Sequence, residues 1–522
     1  MAANLLPALG GVALFLAAGF ALTELFPALR RLSLPHRLAY AYLLGVATVA
    51  GGLYTLSHLL DIPLRRPAIF GLALAVAAAG LLIRLLRAGG RRPPGVRSSG
   101  AGDWQRGRVG GGSAHEGAEQ GDRTPGGRRA GLRRLLPLVF PAVTLAVTLG
   151  VLADAVSEPV RDWDGRMTWS AQARYLRADG TVNASALQRA RWYISHPEYP
   201  LLLPVAQVAA LEATGAGDDD PTFRALYAAF LPALLLLIHD AARRWAGRAA
   251  ADLAGLAAAA VPFFAYGGEG GAVSAYSDLP LACFYGGGLI LLLRSRLRPF
   301  DGIAAGLLLA AAVLTKNEGT PLTLLALMAA GLVIVRAWLA ARRRGAVPLS
   351  RTAHRRAARL IATALVAALA LALLIDWRTG IPNREDENYA EFVDLSDFWP
   401  GVVTRIPSVG SVMLRQMTAW EHWGVFWWAL PLVLLAGWKG WTGRRRAVSL
   451  PLLLALAGPL AVAWGAYSVH WYPEDLARVT WNRLLLQGAV PLFVLLALAL
   501  RRLLPQKALL SKPPQNLPAG LL

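Results

Sequence analysis

Apolar runs separated by short charged connections recur from one end of the chain to the other. LLPALGGVALFLAAGFAL (residues 5–22) and LIATALVAALALALLI (360–375) are representative. Each run approaches the roughly 20 helical residues that cross a hydrocarbon core. Backbone polar groups in lipid must be satisfied within their own segment, so the runs predict helices. The period-two alternation of a membrane barrel is absent. Helices are expected near 4–22, 38–60, 67–87, 134–155, 222–240, 249–266, 279–294, 302–315, 319–340, 358–376, 424–438, 449–467 and 483–502, with those at 302–315 and 424–438 short for a crossing. The predicted fold class is all-α and polytopic, with about 13 transmembrane helices.

Charge gives these runs an orientation. The connections RRLSLPHR, ARRWAGR, RSRLRPF, ARRRGAVPLSRTAHRR and KGWTGRRR are basic, as is the stretch 88–133, whereas the loops 156–221 and 377–423 are net acidic. The positive-inside rule places the first set in the cytosol and the second away from it. Arg30, Arg31 and Arg37 follow the first run and nothing basic precedes it, which predicts an uncleaved segment with its N-terminus outside. The net charge of +21 belongs to a chain that is 55% hydrophobic and 16% charged. It is dispersed over inward loops rather than gathered in a stripe, so nucleic acid is not an expected partner and membrane lipids are.

Residues 88–133 are Gly, Arg, Ser and Pro with few large apolar side chains. They cannot offset their ordering entropy and are expected to form a disordered cytoplasmic linker. It divides three N-terminal helices (1–87) from a membrane module (134–502) that ends in a cytoplasmic tail (503–522). The single cysteine, Cys283, excludes a disulfide within the chain. Trp163, Trp169, Trp423, Trp427, Trp428, Trp438 and Trp441 lie at run ends, where interfacial anchoring accounts for tryptophan.

Candidate chemistry gathers in the outward loops. EPVRDWDGRMTWSAQARYLRADG follows the fourth helix, so Asp162 and Asp164 stand about one turn beyond the membrane surface. Such a pair can act as a general base or hold a divalent cation. Equally, Asp162 can cap the next helix while Asp164 is simply solvated. Trp169, Ala173 and Leu176 share one helical face, which predicts a juxtamembrane helix. HPEYP then sets Pro197 and Pro200 around Tyr199, and LLLPVAQVAALEA is too short to span and predicts a second juxtamembrane helix. Asp218, Asp219 and Asp220 before Pro221 fit the start of the next crossing helix.

Four stretches taken in order resemble one family. They are WDGRMTWSAQARYLRADG, YSDLPLACF (276–284), GLLLAAAVLTKNEGTPL (306–322) and NRLLLQGAVPLFVLLAL (482–498). With the proline–aromatic–proline entry and the two juxtamembrane helices, they resemble the GT-C superfamily, integral membrane glycosyltransferases that use lipid-linked sugars. The likeness is to protein-mannosyltransferase and aminoarabinose-transferase-like members and runs from about residue 134 to 502. The three N-terminal helices fall outside the pattern, and the Asp-Glu doublet that many members carry is missing.

The resemblance implies transfer of a sugar from a polyprenyl-phosphate donor to a cell-envelope acceptor at the non-cytoplasmic face of the inner membrane. The residues agree in part: an acidic site facing away from the cytosol cannot meet nucleotide sugars, and no Gly-rich phosphate cradle is present. Asp164 is expected as the base, with Asp162 as alternate or partner. Arg483 and then Lys316 are expected at the donor phosphate, although either can serve as a snorkelling anchor and Lys316 can pair with Glu318. His196, Tyr199, Asp278, Glu318 and His470 are the candidate substrate contacts, with N-capping the alternative for Asp278. No cofactor is certain, and a divalent cation stays open. The loop 377–423 is long enough to cover a cavity. Rival readings are a polysaccharide polymerase or ligase, a lipid-linked sugar transporter and a non-catalytic scaffold. No internal repeat favours the transporter.

Overall fold

The computed structural model describes residues 2–89, 127–189, 196–217, 220–266, 270–294, 298–343, 351–381, 400, 403–437, 446–470 and 472–504. Among them the regular structure is helical. The N-terminal part forms α1 (Ala2–Thr23), α2 (Leu34–Leu60) and α3 (Arg66–Gly89). Then come α4 (Gly127–Ser157), the short α5 (Ala171–Asp179) and α6 (Leu202–Thr214), α7 (Asp220–Ala246) and α8 (Arg248–Ala259). The second half holds α9 (Asp278–Leu293), α10 (Asp301–Val313), α11 (Gly319–Arg343), α12 (Arg351–Arg378) and α13 (Ile406–Thr418). It closes with α14 (Phe426–Gly437), α15 (Arg446–Val469), α16 (Pro473–Gln487) and α17 (Ala489–Leu503).

Every expected helix has a counterpart, though not every one has the length of a full crossing. Among the described residues, eight helices are long and apolar enough to cross a membrane, or nine if α16 and α17, bent by 60° at Gly488, make one span. The chain is a multi-pass membrane protein on that ground. The other four expected crossings are α8, α9, α10 and α14, of 12 to 16 residues. The run at 249–266 breaks after Ala259 because Pro262 holds Val261 extended (φ −79°, ψ 111°). Apolar composition alone does not register such a break. Residues 90–126 of the expected linker lie outside the described residues, while helical backbone already begins at Gly127 rather than at 134.

The three N-terminal helices share one core with the rest of the bundle. Gly19 of α1 and Gly45 of α2 sit where a Cβ would meet a backbone oxygen of the facing helix at 1.7 and 1.8 Å. Small residues allow this close approach, on which helix association in lipid depends. Tyr42 of α2 donates to the Leu226 carbonyl (2.5 Å) and Tyr54 to that of Leu373 (3.5 Å), tying α2 to α7 and α12. Helix α9 lies inside the bundle with all 16 residues buried. It fixes the distance between two charged ends, one carrying Asp278 and the other Arg294.

The juxtamembrane expectations hold in outline. Trp169, Ala173 and Leu176 are fully buried on one face leading into α5, and α6 is buried along Leu202–Glu212 rather than resting on the interface. Two of the expected interfacial tryptophans are core residues: Trp169 is buried, and Trp423 donates its Nε1 to Asn482 Oδ1 (2.8 Å). Trp163 and Trp428 are exposed, as anchoring requires. Asp220 ties the first outward loop together, with Oδ1 on Arg174 (2.6 Å) and Oδ2 accepting from Val160 N (3.2 Å). Asp218 and Asp219 lie outside the described residues.

Candidate active site

Five charged side chains from four separate parts of the chain meet at one end of the bundle. Asp278 stands in the first turn of α9, wholly buried, and makes no cap bond. Its Oδ1 accepts from Lys316 Nζ (2.9 Å) and Gln487 Nε2 (2.9 Å), and its Oδ2 accepts from Arg483 Nε (2.9 Å). Arg483 and Gln487 are four apart on α16 and so share a face. Lys316 also meets Glu318 Oε1 at 2.9 Å, and Arg483 Nη1 meets Asp164 Oδ2 at 3.0 Å. Both Asp278 oxygens thus hold cations of the chain in place, an arrangement distinct from capping its own helix.

Exposure sorts the members. The Asp278 side chain is 0% exposed, Lys316 6% and Arg483 9%, whereas Asp164 is 26% and Glu318 31% exposed. The floor is therefore Asp278 with its two cations, and Asp164 and Glu318 form the rim. Asp164 commits Oδ2 to Arg483, which leaves Oδ1 for a proton or a hydroxyl. Arg483 commits Nε and Nη1, and its guanidinium lies 4.7 Å above the centre of the Tyr276 ring. Its Nη2 has no hydrogen-bond partner among the described residues.

The backbone around Asp164 is fixed by packing. Its N–H donates to Tyr276 Oη (3.0 Å), and the wide turn Gly165–Ser170 follows it. A Cβ on Gly165 would stand 2.1 Å from the Ser274 carbonyl oxygen. Gly165→Ala must therefore push the Asp164 segment away from Tyr276 and Arg483. Displacements near 1 Å at a reacting group cost up to about 10²-fold in rate, so this variant is expected to lose activity on that scale with little change in yield. Unchanged turnover by Gly165→Ala would show that the Asp164 position is not critical.

The other expected contacts fall at different distances from the cluster. Asp162 is outside it: its carbonyl accepts from Arg166 N (3.0 Å), as at a helix start, and partial burial raises its carboxyl above the ordinary range, opposed by Arg224. His196 and Tyr199 stack (4.7 Å between ring centres), and the left-handed His196 (φ 44°) has its carbonyl fixed by Gln172 Nε2 (2.7 Å). This loop joins the cluster through Arg378, which donates Nε to the Glu198 carbonyl (3.0 Å) and Nη2 to Asn317 Oδ1, beside Lys316. His470 directly follows α15, with its carbonyl held by Arg405 Nη1 (2.7 Å) and its Nδ1 accepting from Tyr472 N (3.0 Å). Of the loop 377–423 expected to cover the cavity, residues 382–399 lie outside the described residues, and the later part forms α13.

Tyr276, Gln487, Arg378 and Glu198 are site residues that the sequence reading did not single out. Glu198 is the most unusual. Both its oxygens are buried, neither accepts a hydrogen bond among the described residues, and its neighbour is His196 Nδ1 at 3.5 Å. Buried polar atoms without partners are rare in folded proteins and mark places where a ligand or water is needed. A glutamate between two prolines in a motif already noted was the available signal. Gln487 could have been found from its spacing to Arg483. Each carboxylate that faces the cluster is already held by a cation of the chain, and no group of three His, Cys, Asp or Glu side chains suited to a metal ion occurs among the described residues.

The bundle and this cluster define a multi-pass helical membrane protein with a partly buried network of carboxylates and cations at one end. No family model matches the sequence, and no curated protein sequence matches it. Among solved structures, the chain is similar to ArnT from Cupriavidus metallidurans, crystallised with undecaprenyl phosphate, at 21% identity and a TM-score of 0.45 over 73% of this chain and 62% of that one. It is also similar to the oligosaccharyltransferase of Archaeoglobus fulgidus, crystallised with zinc and sulfate, at 15% identity and a TM-score of 0.37 over 67% of this chain and 48% of that one. The chain thus spans under two thirds of the length of either.

Proposed function

We propose that the protein is a GT-C-type membrane glycosyltransferase that moves a sugar from a polyprenyl-phosphate donor to a hydroxyl acceptor at the non-cytoplasmic face. The observation that carries the reading is the Asp164–Arg483–Asp278–Lys316 chain, which places a partly exposed carboxylate 3.0 Å from a buried guanidinium. The acceptor hydroxyl gives its proton to Asp164 Oδ1 as its oxygen bonds to the anomeric carbon. The bond from that carbon to the phosphate oxygen breaks, and polyprenyl phosphate departs with the electron pair. Arg483 Nη2 and the third Lys316 proton meet the charge that develops on the leaving oxygen. Asp278 takes no part in proton transfer and is a positioning residue. Undecaprenyl phosphate is one member of the leaving-group class. His196, Tyr199 and the Glu198 carboxylate would line the acceptor side, with Asp162 outside the chemistry.

Proteoliposomes assayed with a panel of polyprenyl-phosphate sugars should release polyprenyl phosphate and glycosylate an acceptor. Arg483→Lys keeps the charge and loses the fork, so donor KM should rise by about 10- to 100-fold with a smaller change for the acceptor. Equal effects on both substrates would remove Arg483 from the donor site.

Buried charges and the interrupted α16–α17 pair also suit a transporter of lipid-linked sugars. The same proteoliposomes separate the two: a transporter moves the intact donor across the bilayer and leaves its glycosidic phosphate bond unbroken.

A further inference from the structure

At the opposite end of α9, arginines lie buried without the carboxylates that balance Asp164's neighbours. Arg356 and Arg359 are three apart on α12 and share a face that turns inward, at 7% and 2% exposure, while Arg355, just before them, is exposed. With Leu292, Leu293, Val333 and Ile334 they line a small cleft between the ends of α9, α11 and α12. Neither has an ion pair among the described residues. Arg359 gives Nη1 to the Arg294 carbonyl (2.7 Å), but its buried Nε has no hydrogen-bond partner among the described residues. Arg336, two residues past Ile334 on α11, likewise has a buried Nη1 without a partner.

Arg294 beside them shows the contrast. It is equally buried, yet it meets Asp240, which Arg244 also contacts. The Asp301 carboxylate acts on Arg359 electrostatically but makes no ion pair with it, and its oxygens accept from Ala28 N (3.3 Å) and Arg298 N (2.8 Å). Isolated buried cations are strongly disfavoured, so two guanidiniums aimed into one cleft call for an anion from outside the chain. Guanidinium forks match phosphate oxygens, and the remaining walls of the cleft are aliphatic. A phosphate carried on hydrocarbon satisfies both surfaces.

We infer that Arg356 and Arg359 hold the phosphate of an anionic membrane phospholipid, at the end of the bundle away from Asp164. Basic clefts between membrane helices at headgroup depth are suited to this kind of recognition. The inference is independent of the transferase reading, and its test reads binding rather than turnover. Detergent-purified protein is given equimolar phosphatidylglycerol and phosphatidylcholine, and bound lipid is counted by native mass spectrometry. At roughly 1 kcal/mol for each arginine near an anionic headgroup, phosphatidylglycerol should be preferred about 30-fold. The double variant R356Q/R359Q should abolish the preference, and R355Q should keep it. If the double variant does not fold, the wild-type competition still decides, because equal occupancy by the two lipids overturns the inference. Displacement of phosphatidylglycerol by inorganic phosphate at the same concentration would also overturn it, by making the site one for free phosphate.

Discussion

Asp164→Asn is expected to lower sugar transfer by about 10²–10⁴-fold, the usual worth of a positioned base. The variant should fold normally. Its side chain is 26% exposed and rests on the edge of the cluster, so the amide can still accept from Arg483 and solvent reaches the rest. What it loses is the capacity to take a proton from the acceptor. Single-turnover transfer from a labelled polyprenyl-phosphate sugar, with melting temperature measured alongside, checks both halves. Full activity in Asp164→Asn and in Asp162→Asn would remove the carboxylate base from the mechanism.

Asp278→Asn should behave in the opposite manner. The carboxylate is wholly buried and binds Lys316, Arg483 and Gln487 together. Neutralising it leaves two buried cations with only the rim carboxylates for balance. Breaking a buried pair by removing one partner costs about 3–5 kcal/mol, a large share of the stability of a typical domain. The expected results are a sharply lower melting temperature in detergent and a poor folded yield. A stable Asp278→Asn protein that retains its fold but not its activity would instead make Asp278 a participant in the chemistry. The pair of variants therefore separates the residue that performs the proton transfer from the residue that holds the apparatus in place.

Much of the architecture was readable because lipid imposes a length and a composition on each crossing. Helix positions and the two juxtamembrane helices came from run lengths, and Asp164, Lys316, Asp278 and Arg483 were singled out by charges at run ends together with the family resemblance; the structure brings these four side chains together. What sequence could not supply was depth. Helices α9 and α10 are as apolar as true crossings, yet α9 is enclosed on all sides and α10 nearly so, and only packing reveals this. The role of Asp278 was hidden for the same reason, since a helix-start aspartate looks alike whether it caps its own helix or binds side chains 38 and 205 positions away. Glu198 escaped notice because its significance is a missing partner, which no local pattern encodes. Trp169 and Trp423 looked interfacial because tryptophan at a run end usually is, and their burial depends on segments distant in the chain.

The lengths of the helices shape the two ends of the molecule. The innermost, α9 and α10, have 16 and 13 residues, about 24 and 20 Å at 1.5 Å per residue, while α2 and α12 have 27 and 28, about 40 Å. Helices of such unequal length, packed side by side, cannot end level at both faces. Asp278, in the first turn of the short and wholly enclosed α9, is sealed from water, while Asp164 and Glu318 keep 26% and 31% of their side chains in contact with it. Whatever solute meets this cluster therefore meets its outer carboxylates first and feels the buried one only through the cations it holds.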